Sequence, residues 1–188
     1  MTDGDAFGNA YCRRPPEGIV ERAAGIQWLV MDCDGVLTDG TISTGPDGED
    51  RKVFHVHDGK GLAMLAGADI SRAIVSARGS AALSARAAEL GIHELRQHVG
   101  DKAHELDRIA QAHGIDAAAI AYMGDDIVDL GALSRAGLSV AVADAHPRCI
   151  AASHWVTHCR GGRGAVREVC ELILAARGEL ATVFRRHE

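Results

Sequence analysis

An apolar run, Ile26-Gln-Trp-Leu-Val-Met31, stops abruptly at Asp32 and narrows the folds open to this chain. A run of this kind suits a strand buried on both faces, as in a parallel sheet. Beyond it, strand-like and helix-like segments alternate over more than 120 residues. Gly61–Ala68 reads as a helix, Ile70–Ser76 as a strand, and Ser80–Leu90 as a helix with Ser80 as its N-cap. His93–Gln97 reads as a strand, Lys102–His113 as a helix, Ala119–Met123 as a strand and Ile127–Ala136 as a helix. Leu138–Val142 and Trp155–Thr157 are further strands around a short helix at Pro147–Ala152, and Val166–Ala176 is the closing helix. This alternation implies an α/β fold, a doubly wound parallel sheet covered on both faces by helices.

Between Gly40 and Asp58 the pattern changes. Thr41–Thr44 and Lys52–Val56 are short β-prone segments around Gly-Pro-Asp-Gly at 45–48, a turn signal, and read as a β-hairpin projecting from the domain. Residues 1–18 hold Gly, Pro and Arg without periodicity and read as a mobile lead-in; order is expected from a short helix near Ile19–Ala24. Residues 19–188 then form one domain, of a size that removes roughly 70% of its unfolded surface from water.

Composition excludes some functions. The net charge of -6 argues against a general nucleic-acid binder. Five scattered cysteines without a CxxC pair argue against a disulfide framework or a structural zinc site. The polar N-terminus has no apolar signal core, and no apolar stretch approaches the ~20 residues that span a bilayer. A cytoplasmic location without membrane contact is expected.

In open parallel sheets, ligands bind beyond the carboxyl ends of the strands. The residues following the expected strands are Asp32-Cys-Asp34-Gly-Val-Leu-Thr38, then Ser76-Ala-Arg78, then Gly100-Asp101-Lys102, then Gly124-Asp125-Asp126-Ile-Val-Asp129. Four strand ends thus supply carboxylates, a hydroxyl and an ammonium to one crevice. A carboxylate can attack phosphorus and form an acyl phosphate, and a second carboxyl can serve the leaving alkoxide and then the attacking water. The acids at 125, 126 and 129 supply hard oxygen ligands suited to Mg²⁺. Lys102 and the Ser76 hydroxyl can take phosphoryl oxygens, and phosphoryl transfer is mostly positioning and charge stabilisation. Read blandly, Gly124-Asp125-Asp126 is an acidic helix start, Lys102 a solvated lysine and Ser76 a turn residue.

In order, spacing and strand placement these segments resemble the four motifs of the haloacid dehalogenase superfamily. Within it, the chain resembles the capless 3-deoxy-D-manno-octulosonate 8-phosphate phosphatase family. That narrower likeness rests on Lys52-x-Phe54-x-Val56-x-Asp58-Gly59-x-Gly61, on Gly137-Leu-Ser-Val-Ala-Val-Ala-Asp144-Ala-His-Pro147, on Gly161-Gly-Arg163-Gly-Ala-Val-Arg167-Glu168 and on the lack of a cap domain. The resemblance implies a Rossmann-like phosphatase domain acting on an acidic sugar phosphate. By it, Asp32 is the nucleophile and Asp34 the general acid/base, with Ser76 and Lys102 completing the catalytic set. Mg²⁺ takes the Asp32 carboxylate, the Asp34 backbone carbonyl and Asp125, with Asp126 and Asp129 supporting. It further implies a homotetramer in which hairpins meet centrally and a neighbouring subunit helps close the site. Substrate contacts are expected from Lys52, His57, Asp58, Gly59, Lys60, Arg78 and Arg163.

Three departures matter. The second motif reads Ser76-Ala77-Arg78 where Thr-Gly-Arg is usual, and Ala77 tolerates fewer conformations than glycine. Cys33 stands where an aliphatic residue is common. His57 stands where Arg usually precedes Asp-Gly, and a histidine is only partly charged near neutrality; Lys60 can restore the charge. A phosphatase for a nine-carbon sialic-type acid 9-phosphate or another pathway intermediate is therefore the related reading. A non-enzymatic tetramer retaining the fold is the contrasting one. His55 and His57 read as a solvated strand face, and His154 and His158 lack a helix to hold them as ligands.

Overall fold

The computed structural model describes Tyr11 and residues 15–186, so the expectation for residues 1–18 falls mostly outside the described residues. The first helix, α1 (Glu17–Ala24), leads into β1 (Trp28–Met31), all four residues of which are buried. A small hairpin of β2 (Ser43–Thr44) and β3 (Asp50–Arg51) precedes α2 (Val56–Ala66). Then follow β4 (Ser71–Val75), α3 (Ala81–Glu89), β5 (Glu94–Arg96) and α4 (Lys102–His113). The second half runs β6 (Ile120–Gly124), α5 (Leu130–Arg135), β7 (Leu138–Ala141), α6 (Pro147–Ala152) and β8 (Trp155–Val156). Two helices, α7 (Ala165–Ala176) and α8 (Leu180–Arg185), end the chain.

Six strands form one parallel sheet in the order β5-β4-β1-β6-β7-β8. The chain moves from β1 outward through β4 to β5, then returns to the other side of β1 at β6. The strand order therefore reverses between β1 and β6, where crevices open in such sheets. The helices α1, α2, α7 and α8 pack together, and α4, α5 and α6 pack together, so the sheet is covered as its apolar strands require.

Local chemistry explains most boundaries. The Ser80 hydroxyl accepts from Leu83 N at 3.3 Å and starts α3. Asp101 caps α4 by accepting from His104 N at 3.0 Å, and Gly114 closes that helix with a φ of 63°.

The structure corrects the reading around the hairpin. Only Ser43↔Arg51 and Thr44↔Asp50 pair, and Lys52–Val56 is not a strand. A two-stranded ribbon with exposed faces has little apolar surface to bury and stays short. Lys52 leaves the ladder to meet Asp34, and α2 starts at Val56, five residues before the expected helix at Gly61. Gly59 and Gly61 concealed that start, since glycine is a poor helix former. Both sit where α2 packs closely against its neighbours. A Cβ on Gly59 would run into the Arg86 guanidinium, and one on Gly61 would sit 3.1 Å from the Arg167 Cα in α7. The short helix α8 was not expected from the sequence.

Arg72 fastens this layer to the sheet. From β4 its guanidinium donates to Leu62 O (3.1 Å), Leu90 O (3.3 Å) and Gly91 O (3.2 Å), joining α2 to the end of α3. Burial disfavours its charge and lowers its pKa, yet the end of α3 is where cations are favoured. Arg72→Met should leave these carbonyls short of a charged donor and destabilise the fold by about 2 kcal/mol. A thermal melt is expected to show a loss of about 4–8 °C; an unchanged melting temperature would remove Arg72 from the account.

Candidate active site

The nucleophile candidate sits where β1 gives out. Asp32 is 6% exposed; its Oδ1 accepts from Cys33 N at 2.7 Å, and its Oδ2 pairs with Lys102 Nζ at 2.8 Å. The loop after it is kept tight by Thr38, whose hydroxyl donates to Cys33 O and accepts from Gly35 N and Gly40 N at 3.4 Å each. Gly35, with φ of 86°, lies so close to Asp125 that any Cβ would run into its carboxylate. Gly162 N donates to Val36 O at 2.8 Å, so the Gly161–Gly164 loop is laid directly on this turn.

Lys102, the first residue of α4, is 3% exposed and lies between two carboxylates, with Nζ 2.8 Å from both Asp32 Oδ2 and Asp129 Oδ1. Burial opposes its charge, but the two anions outweigh that and raise its pKa. Asp129 is fully buried. Its Oδ2 accepts from Asp125 N (3.0 Å) and Asp126 N (3.2 Å), and its Oδ1 accepts from Lys102 and from Tyr122 Oη at 2.7 Å. Asp126 caps the turn at Ile127–Asp129 by accepting from Ile127 N at 2.7 Å.

Burial, then the charge of Asp129, push the Asp32 carboxyl up to about 6 despite Lys102. Asp125 rises further, to about 8, through burial and the charges of Asp32 and Asp129. Its Oδ1 is buried without a hydrogen-bond partner among the described residues. Oxygens of Asp32, Asp125 and Asp129 lie within 4.8 Å of one another. An unsatisfied carboxylate oxygen in an all-oxygen donor set fits a hard divalent cation such as Mg²⁺.

These groups line a crevice of about 230 Å³ formed by Asp32, Asp34, Gly40, Ser76, Ala77, Arg78, Lys102, Asp125, Asp126 and Val128. Asp34 stands at its mouth, ion-paired to Lys52, whose side chain is 4% exposed and also lies 3.3 Å from Asp50. The buried Ser76 hydroxyl donates to Arg78 O at 3.0 Å and accepts from Arg78 N at 3.2 Å, which shapes the second motif. Arg78 itself leans towards Asp50 at 3.7 Å.

His57, Asp58, Gly59, Lys60 and Arg163 do not line this crevice. Asp58 is buried and accepts from Gly164 N (3.2 Å) and Arg167 N (2.8 Å), tying α2 to the start of α7. His57 is exposed beside Tyr11, and Lys60 is exposed on α2. Arg163 pairs with Asp39 at 3.0 Å on the surface. Sequence reading missed Tyr122 and Asp50. A tyrosine inside an apolar strand was the available signal for the first, because a buried phenol requires a partner. Asp50 gave none, since its role depends on where the hairpin lands.

A profile of haloacid dehalogenase-like hydrolases matches residues 63–168. The chain is 44% identical to 3-deoxy-D-manno-octulosonate 8-phosphate phosphatase KdsC of Yersinia pestis, over 87% of this chain and 88% of that one. It is 43% identical to the protein of the same name from Escherichia coli K12, over 91% and 92%. Its fold is similar to the crystal structure of the Moraxella catarrhalis phosphatase of that name, in complex with magnesium, phosphate and KDO. There the TM-score is 0.91 and the identity 38%, covering 93% of this chain and 100% of that one. With the four strand ends converging as described, the chain belongs to the 3-deoxy-D-manno-octulosonate 8-phosphate phosphatase family of haloacid dehalogenase-like hydrolases.

Proposed function

We propose that this chain hydrolyses 3-deoxy-D-manno-octulosonate 8-phosphate to 3-deoxy-D-manno-octulosonate and phosphate, with Mg²⁺ as cofactor. The observation that carries the reading is the crevice floor, where the buried Asp32 is held beside Lys102 and faces the unpartnered oxygen of Asp125. Relatives at 43–44% identity bear the name of this activity, which supports the substrate.

Asp32 attacks phosphorus with one carboxylate oxygen, and the bond from phosphorus to the sugar oxygen breaks, leaving an aspartyl phosphate. Asp34 gives its proton to the departing alkoxide, then takes one from the water that hydrolyses the acyl phosphate. Lys102 stays charged in its buried setting and neutralises phosphoryl oxygens. The Ser76 hydroxyl, on turning away from Arg78 O, takes another oxygen together with backbone N–H groups of the second motif. Asp32, the Asp34 backbone carbonyl and Asp125 would hold the metal, with Asp126 and Asp129 supporting. When bound, magnesium withdraws charge from the phosphoryl group and relieves repulsion among the carboxylates.

In this reading Arg78, which lines the crevice, and Lys52, paired with Asp34 at its mouth, meet the sugar acid. The chain acts as a homotetramer in this reading, so that the exposed His57, Lys60 and Arg163 serve a site closed by a neighbouring copy. Exposed Ile42, Val53 and Val56 beside the hairpin support such burial. The cytoplasm is the assigned compartment, supported, among the described residues, by four free cysteines and by the lack of a helix able to cross a membrane.

Phosphate release from acidic and neutral sugar phosphates, with and without Asp32→Asn, tests the reading. Strong Mg²⁺-dependent release from the octulosonate ester, abolished in the variant, is expected. Release from a different sugar acid alone would keep the chemistry and move the substrate. In thermal melts, Mg²⁺ should stabilise the wild type by several degrees. Asp125→Asn, which removes a carboxyl that burial and the charges of Asp32 and Asp129 make costly to ionise, should melt higher than the metal-free wild type near neutral pH and respond little to Mg²⁺. The opposite order would take Asp125 out of the metal site. Sedimentation should give the mass of four chains, and a monomer would refute the assembly.

A further inference from the structure

Asp129 is the most enclosed carboxylate of the crevice, and its four acceptor positions are all taken. Two are filled by Asp125 N and Asp126 N on Oδ2, and two by Lys102 Nζ and Tyr122 Oη on Oδ1. A carboxylate so occupied has no free lone pair for a cation, although its oxygens lie near those of Asp32 and Asp125. Its influence on the reaction therefore runs through Lys102. That ammonium is shared evenly, 2.8 Å from Asp32 on one side and 2.8 Å from Asp129 on the other. The even share is a problem for catalysis, because a phosphoryl group arriving at Asp32 must compete with Asp129 for the same cation.

Tyr122 bears on that competition. Its ring is fully buried in β6, three residues before Asp125, and its hydroxyl donates to the very oxygen that Lys102 contacts. A second donor on an anionic oxygen disperses its charge and weakens its hold on the first. Burial and the charge of Asp129 raise the phenol's pKa, so it remains the neutral donor.

We propose that Tyr122 is a positioning residue for phosphoryl transfer: its hydrogen bond to Asp129 Oδ1 restrains that carboxylate's pull on Lys102 and keeps the ammonium available at Asp32. The inference rests on the proposed roles of Asp32 and Lys102.

Tyr122→Phe deletes the hydroxyl and keeps the ring. It should lower kcat about tenfold, while the Mg²⁺ concentration giving half-maximal activity changes less than twofold, since Asp129 is not a ligand. A purely structural hydroxyl would lower the melting temperature and leave kcat alone, and that result overturns the proposal. In the Asp129→Asn background, assayed at high enzyme concentration, Tyr122→Phe should change the residual rate less than twofold. A full tenfold further loss there would mean that Tyr122 does not act through Asp129. Should Tyr122→Phe fail to fold, the chain offers another measurement, because it holds only two tyrosines. In Tyr11→Phe grown with 3-fluorotyrosine, the single fluorine resonance should move when inorganic phosphate and Mg²⁺ are added together; an unmoved signal refutes the coupling. Asp32→Asn separates the two levels. If it still turns over, the nucleophile assignment fails. If it is inactive while Tyr122→Phe is normal, only the role of Tyr122 fails.

Discussion

One ammonium in a water-poor crevice organises the catalytic end of this protein. Lys102 bridges two carboxylates brought from neighbouring strands, Asp32 after β1 and Asp129 after β6. Without it, three acids would face one another at the strand ends with little solvent to screen them, and such burial is costly for any charge left unpaired. Its position follows from the fold. Lys102 opens α4, whose start is fixed by the Asp101 cap, and α4 leaves the far edge strand β5 to cross back beneath the sheet to β6. The reversal of strand order is thus what lets a residue following one edge strand reach the centre.

Even so, one charge cannot balance three. The imbalance is concentrated on Asp125, whose carboxyl is driven up by burial and by its acidic neighbours and whose Oδ1 has no partner among the described residues. The protein holds this arrangement rigidly. Gly35 permits the nucleophile turn to approach Asp125, the Gly161–Gly164 loop presses on that turn, and Asp58 pins the end of the same loop from α2. Affinity for a small divalent cation is what such preorganised, undersatisfied oxygen chemistry provides.

The sequence made the sheet and the floor of the crevice legible because both depend on local patterns. Apolar runs ending in acids placed Asp32 and Asp125, and the expected helix Lys102–His113 matches the bounds of α4. What stayed hidden depended on distant partners. The early start of α2 was masked by Gly59 and Gly61, whose reason lies in Arg86 and α7. The hairpin ended sooner than its β-prone residues suggested, because Lys52 is drawn to Asp34 rather than along the ladder. Asp58, expected beside substrate, instead satisfies the first amides of α7. Tyr122 was visible as an oddity in an apolar strand, but its partner could not be named until β6 and the turn after it were built.

The hairpin stands apart from the floor in one respect. It touches the chemistry only through Lys52 and Asp50 at its return, whereas every group bonded to Lys102 comes from the sheet ends or the turns that follow them. Mutational drift in residues 41–49 is thus insulated from the reacting atoms. Substitutions in that exposed ribbon are expected to leave the groups bonded to Lys102 in place.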